Sequence, residues 1–328
     1  MKKLLKKTLK LILPVVLGGF ILFWVYRDFD FTKAGDVLLH GTNWWWMLFS
    51  LVFGVFAQVF RGWRWRQTLE PLDAFPKKSD CVNAIFISYA ASLVVPRIGE
   101  VSRCGVLAKY DNVSFAKSLG TVVTERLVDT LTILLITGIT VLLQLPIFVT
   151  FLQQTGTKIP SLVHLLTSVW FYIILFCFIG VAILLYYLRK TLFFYERVKG
   201  FVLNIWEGIM SLKGVRNIPL FIFYTLAIWA CYFLHFYFTF YCFAFTAHLG
   251  ILAALVMFVG GTFAVIVPTP NGAGPWHFAV ISMMMLYGVN VTNAGIFALI
   301  VHGIQTFLVV LLGIYGLAAL PFTNRQRK

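Results

Sequence analysis

The sequence predicts an all-α polytopic membrane protein, and three observations carry that expectation. Of 328 residues, 60% are hydrophobic and 12% charged, where a soluble domain carries about 25% charged residues. From Asn217 to Asn324 there is no Asp, Glu, Lys or Arg, and such a surface cannot be solvated. Two of the long apolar stretches are each broken by a proline-glycine segment, one through Pro96-Arg97-Ile98-Gly99-Glu100, the other through Pro268-Thr269-Pro270-Asn271-Gly272-Ala273-Gly274-Pro275. An unpaired backbone group in hydrocarbon costs several kcal/mol, so a broken helix persists there only against protein or a water-filled cavity. The expected fold has about six full transmembrane helices plus two re-entrant broken helices.

Taken in order, Lys2, Lys3, Lys6, Lys7 and Lys10 precede an apolar run at 11–26. The run resembles a signal peptide but lacks a small-x-small cleavage site, which makes it a retained first helix. Trp44, Trp45 and Trp46 open a span at 44–60 as an interfacial aromatic anchor. A re-entrant segment follows at 81–108, then spans at 118–145 and 166–188. Residues 189–216 mix Phe193, Phe194, Phe201 and Ile205 with basic residues, the pattern of a cytoplasmic helix lying on anionic lipid. A span at 218–247, a second re-entrant segment at 250–288 and a span at 293–320 complete the single domain.

The net charge of +15 does not point to nucleic acid, because the basic residues cluster at span ends. The proposed inner segments hold 21 Lys and Arg, including Arg61, Arg64 and Arg66, and the outer loops hold Arg27, Lys33 and Lys158. That bias orients a multi-pass membrane protein with both termini cytoplasmic. The unit 44–60, 81–108, 118–145 is then mirrored by 218–247, 250–288, 293–320 in the opposite sense, an inverted repeat of the kind transporters use. Five cysteines without a CxxC pair read as apolar packing residues, and no metal or other cofactor is expected.

Six ionisable residues fall at membrane depth: Arg97, Glu100, Arg103, Glu125, Arg126 and Asp129. Each costs about 2.5–3.5 kcal/mol at a helix centre, so they are expected to pair or to face a cavity. Glu100 with Arg103, Arg126 with Asp129, and Glu125 with Asp129 share helix faces by spacing. The plain reading is a buried ion-pair network that binds nothing. The sharper one gives Arg97 and Arg103 a phosphate, with Glu100, Glu125 and Asp129 holding the arginines or shuttling protons. On the second segment, Asn271, Gly272 and Gly274 permit close backbone approach. The helix starting near Pro275 presents free N–H groups to an anion. His277 sits in its first turn, with His235 and His302 on flanking spans.

Arg61-Gly62-Trp63-Arg64-Trp65-Arg66, the Pro96–Arg103 segment, Glu125-Arg126-Leu127-Val128-Asp129 and the Pro268–Gly274 segment, in that order, resemble the lysylphosphatidylglycerol synthase transmembrane family. This is the flippase-like domain also found at the N-terminus of multiple peptide resistance factor proteins. The resemblance covers about 10–320. It implies a polytopic protein of a bacterial plasma (inner) membrane with two re-entrant helices, movement of modified phospholipids between leaflets, and Arg97, Glu100, Arg103, Glu125, Arg126, Asp129 and the segment 268–274 as polar core. The family pattern has a Gly-Gly pair followed by Glu where this chain has Asn271-Gly272 and then His277. The chain runs only a few residues past Leu320, so it is expected to lack the soluble lysyl-transferring domain. The function expected is a lipid translocase for an anionic headgroup, phospholipid or polyprenyl-phosphate, with anionic membrane lipids as partners. The alternatives are an intramembrane enzyme using His277 and Glu100 as acid and base, or a scaffold for cell-envelope proteins.

Overall fold

The computed structural model describes residues 2–27, 29–147, 149 and 214–324, which form helices and turns with no strand. We label the helices α1 (Lys2–Tyr26), α2 (Phe31–Asp36), α3 (Trp44–Leu69), α4 (Lys78–Val94), α5 (Ile98–Tyr110), α6 (Phe115–Leu143), α7 (Ile218–Tyr237), α8 (Ile251–Ala264), α9 (Pro275–Leu286) and α10 (Val291–Thr323). Among the described residues, four segments are long and apolar enough to cross a membrane: α3 with its 3-10 extension to Leu72, α6, α7 with its extension to Cys242, and α10. The expected span 166–188 lies outside the described residues, and of 189–216 only 214–216 are described.

Helix starts follow local chemistry. The Asn43, Asn217 and Asn290 side chains accept from the backbone N–H groups of Trp45, Leu220 and Asn293, which satisfies donors that a first turn leaves free. α3 does not stop near residue 60 but runs to Leu69. That continuation carries Arg61 and Arg64 inside the bundle, at 3% and 0% exposure, rather than into a cytoplasmic loop. α7 ends earlier than expected, at Tyr237, and a 3-10 turn covers Phe238–Cys242.

Both proline-glycine segments are tips of helical hairpins. In the first, α4 and α5 pack on each other about an extended Val95 and a left-handed Arg97 at φ 66°. In the second, α8 and α9 pack on each other about Asn271, Gly272 and Gly274 at φ 50°, 72° and 92°. The hairpins enter the bundle from opposite ends. The open end of α4 is tied to the end of α10, where Asn324 Nδ2 donates to Asp80 Oδ2 at 2.8 Å. The end of α9 meets the end of α6, where Tyr287 OH donates to Gln144 Oε1 at 3.1 Å. Each hairpin has its own apolar core, one built with Trp65, Leu69 and Leu107, the other with Phe240, Met284 and Phe297.

The packing also exchanges partners between the two halves. α3 packs on α7, α4 packs on α10, and α8 packs on α6. Small residues allow the closest of these approaches: a Cβ on Gly313 would overlap Ala90, and one on Gly316 would meet the Asn83 carbonyl. Gly99 closes the first hairpin in the same way, since a Cβ there would overlap the Ser88 carbonyl and the Ser92 hydroxyl. Gly99→Ala is therefore expected to destabilise by about 1–3 kcal/mol through overpacking, seen as a lower thermal unfolding temperature in detergent. Gly105, on the same helix with open space around it, is the control. There alanine should be neutral or stabilising, because glycine is the poorer helix former.

Candidate functional site

The long helices bring five charged side chains into one buried cluster. On α3, Arg61 and Arg64 are a turn apart on one face. On α6, Glu125 and Asp129 are likewise a turn apart. Arg61 Nη2 meets Asp129 Oδ2 at 2.9 Å, Arg64 Nη2 meets Asp129 Oδ1 at 2.7 Å and Glu125 Oε1 at 3.4 Å, and Arg103 Nη1 from α5 meets Glu125 Oε2 at 2.6 Å. Arg64 Nη1 also donates to Thr225 Oγ1 of α7 at 3.3 Å. Arg103 stacks over Trp65 at 4.6 Å, and the Trp65 indole N–H donates to Thr121 Oγ1 at 2.9 Å. The cluster thus ties together α3, α5, α6 and α7.

Among the described residues this cluster sets three guanidinium groups, Arg61, Arg64 and Arg103, against two carboxylates, Glu125 and Asp129, all buried. It is one negative charge short. Removing an unpaired charge from water costs several kcal/mol even after relaxation, so a positive excess at this depth calls for an anion. The unmet capacity is visible atom by atom: Arg61 Nε and Nη1, Arg64 Nε, and Arg103 Nε and Nη2 are buried with no hydrogen-bond partner among the described residues.

Arg61 is the member of this excess that faces open space. It lines a cavity of about 530 Å³ together with Asp129, Arg126, Tyr89 and Tyr232, and the remaining wall is largely apolar, including Ile133, Phe258, Phe263 and Ile266. The Tyr89 and Tyr232 rings lie 6.0 and 5.8 Å from the Arg61 guanidinium carbon, and their hydroxyls hydrogen-bond to each other at 2.7 Å. This aromatic pair holds the guanidinium in place without neutralising it.

Of the residues singled out from the sequence, Arg103, Glu125 and Asp129 join the cluster. Arg126 Nε pairs with Glu100 Oε1 at 2.9 Å beside it, half exposed, bridging α6 to the first hairpin. Arg97 stands apart: it is exposed at the hairpin tip and makes no ion pair among the described residues. Asn271 Nδ2 donates to Thr306 Oγ1 at 2.7 Å, and the Asn271 carbonyl accepts from His302 Nε2 at 3.1 Å. The start of α9 is covered rather than open, because Gly274 lies against the Gly18 carbonyl and Ile21 of α1, and its N–H donates to His277 Nδ1 at 3.4 Å. His277 and His302 are neighbours at 4.5 Å between ring centroids. His235 is held elsewhere, its Nδ1 at 2.8 Å from the Ser50 carbonyl. Glu100 and His277, the expected acid and base, therefore each face a different partner. No group of three or more metal-ligating side chains forms among the described residues.

Arg61 and Arg64 are the site residues that the sequence reading placed in a loop. Their signal was there, an i,i+3 pair of arginines interleaved with Trp63 and Trp65 and directly continuing an apolar span. A model of the family described as lysylphosphatidylglycerol synthase TM region matches residues 11–313. No curated protein and no solved structure matches the chain.

Proposed function

The chain belongs to the lysylphosphatidylglycerol synthase TM region family, and we propose that it takes an anionic lipid headgroup into the cavity beside Arg61 and moves that lipid between leaflets. One observation carries this reading: an apolar-walled cavity is met by a buried arginine from a cluster lacking one negative charge among the described residues. An oxyanion supplies that charge, and the apolar wall suits the glycerol and acyl portions of a lipid. The Arg126–Glu100 pair at the cavity margin links the first hairpin to α6, and its opening would admit the headgroup.

Two hairpins entering from opposite ends are what supports calling this an inverted repeat of re-entrant helices, with the site reached alternately from either side. The basic side chains favour one orientation. Lys77 and Lys117 bond backbone carbonyls at the end of the bundle that holds the α10 terminus, and by the positive-inside rule that end faces the cytoplasm of a bacterial inner membrane. Both described ends of the chain then lie inside.

The test is reconstitution into phosphatidylcholine vesicles carrying fluorescent phosphatidylglycerol in both leaflets. Dithionite added outside should bleach the inner-leaflet pool in protein-containing vesicles and spare it in empty ones. Identical bleaching in both would reject translocation, and new covalent lipid products by mass spectrometry would favour an enzyme.

A further inference from the structure

The cavity beside Arg61 holds an unequal set of polar groups. Among the described residues Asp129 is the one carboxylate on its wall, and both of its oxygens are engaged, Oδ2 by Arg61 and Oδ1 by Arg64. The donors are not used up. Arg61 Nε and Nη1 lack partners among the described residues, and so does the indole N–H of Trp229 on the same wall. Trp229 and Tyr232 stand about one turn apart on α7, their rings 6.2 Å apart and edge to face. Trp229 therefore sits at the level of the guanidinium that Tyr232 flanks. The hydroxyls of Tyr89 and Tyr232 bond to each other, an arrangement that employs one O–H and leaves the second hydrogen to donate.

Charge sets how much anion this site takes. Three buried guanidinium groups stand against two buried carboxylates among the described residues, and the Arg126–Glu100 pair at the margin is neutral. One negative charge balances the set. A phosphodiester has a single ionisable oxygen and supplies one. A phosphomonoester carries about −1.5 to −2 at neutral pH, so it would take the cluster past neutrality and leave negative charge buried without a partner. A headgroup ammonium restores the excess that its own phosphate removed, and it finds no free carboxylate on the wall among the described residues. Neutral hydroxyls meet neither obstacle. Thr130 of α6 and Thr262 of α8 both line the cavity and give their hydroxyl hydrogens to the Arg126 and Phe258 carbonyls, each at 2.7 Å. Their oxygens are left to accept.

We propose that the cavity selects a lipid phosphodiester of net charge −1 whose headgroup bears neutral hydroxyls, and turns away phosphomonoester lipids and headgroups that carry an ammonium. The inference rests on the lipid-moving reading above and gives its headgroup a chemical class. Arg61, Trp229 and the Tyr89–Tyr232 pair hold the phosphate oxygens, and Thr130 and Thr262 take the headgroup hydroxyls. Phosphatidylglycerol meets these requirements. A polyprenyl-phosphate, which is a monoester, does not.

The experiment offers the purified full chain in detergent an equimolar mixture of phosphatidylglycerol, phosphatidylmethanol, phosphatidic acid and phosphatidylethanolamine with identical acyl chains, and reads retention by native mass spectrometry. At pH ~8, above the second phosphomonoester pKa of ~6, phosphatidylglycerol should be retained at least about tenfold over phosphatidic acid and phosphatidylethanolamine. Phosphatidylmethanol, equal in charge but without hydroxyls, should fall about twofold to tenfold short of phosphatidylglycerol, the loss expected for one hydrogen bond. Thr130→Val with Thr262→Val should erase that difference alone. At pH ~5 phosphatidic acid becomes a monoanion and should gain on phosphatidylglycerol, which keeps its charge and serves as the reference for any titration of the groups facing the cavity, Arg61, Arg126, Asp129, His235, Tyr89 and Tyr232. Arg103→Met removes the excess without touching the wall, and should bring phosphatidylethanolamine within about threefold of phosphatidylglycerol; unchanged selectivity there overturns the charge count as its cause. Equal retention of phosphatidylmethanol and phosphatidylglycerol overturns the hydroxyl recognition. Retention of phosphatidic acid at pH ~8, or of phosphatidylethanolamine, that equals phosphatidylglycerol and is lost in Arg61→Gln overturns the class and leaves the lipid site standing. Retention of every lipid unchanged in Arg61→Gln overturns the underlying reading instead.

Discussion

Glu125→Gln should lower stability by about 3–5 kcal/mol, the cost of stranding a buried charge when its partner is removed. Glu125 accepts from Arg64 and forms an ion pair with Arg103, so its loss leaves three buried guanidinium groups facing Asp129 alone among the described residues. Arg103→Met should be distinctly milder. It removes one of three cations, brings the cluster to two against two, and fills the space over Trp65 with an unbranched apolar chain. Both variants delete the Arg103–Glu125 contact, but they move the charge balance in opposite directions, one away from neutrality and the other toward it. Thermal unfolding can be followed by the reaction of Cys81 and Cys104, both fully buried in the core beside Trp65, with a fluorogenic maleimide. Equal drops in Tm would show that packing, and not the positive excess, governs the cluster.

The membrane class and the two hairpins were legible in the sequence because they rest on the backbone. Pro96, and Pro270 with Gly272 and Gly274, interrupt helices whatever surrounds them, and uninterrupted apolar length is a local property. The membership of the site was only partly legible, for a physical reason. Charges at the end of an apolar run lower its hydropathy equally whether they lead into water or into a protein interior, so Arg61 and Arg64 looked like the loop that the positive-inside rule expects. Only the tertiary partners decide between the two: Asp129 and Glu125 on α6, Thr225 on α7, and the Tyr89–Tyr232 pair drawn from two separate helices. Nothing local relates those positions to Arg61.

Arg61→Gln should abolish specific lipid retention while the fold survives. The cluster then holds Arg64 and Arg103 against Glu125 and Asp129, a balanced set, and Asp129 keeps its 2.7 Å contact with Arg64. What disappears is the one guanidinium of the excess that borders the cavity. A hydrogen bond to a charged group contributes about 1.5–3 kcal/mol, so retention of phosphatidylglycerol should fall about tenfold to a hundredfold, as read by native mass spectrometry. Arg61→Lys should recover only part of it. A lysine keeps the charge but not the planar donor set or its placement between the Tyr89 and Tyr232 rings. Salt provides the second reading. Attraction of lipid to the basic residues at the bundle end is screened by ionic strength, whereas a buried pair is screened far less. Retention that depends on Arg61 should therefore persist at high salt, and retention that salt removes would belong to the bundle surface. A lipid retained equally by Arg61→Gln and by the parent, at high salt, would place the anion somewhere other than this cavity and leave the missing negative charge of the cluster to be met from within the protein.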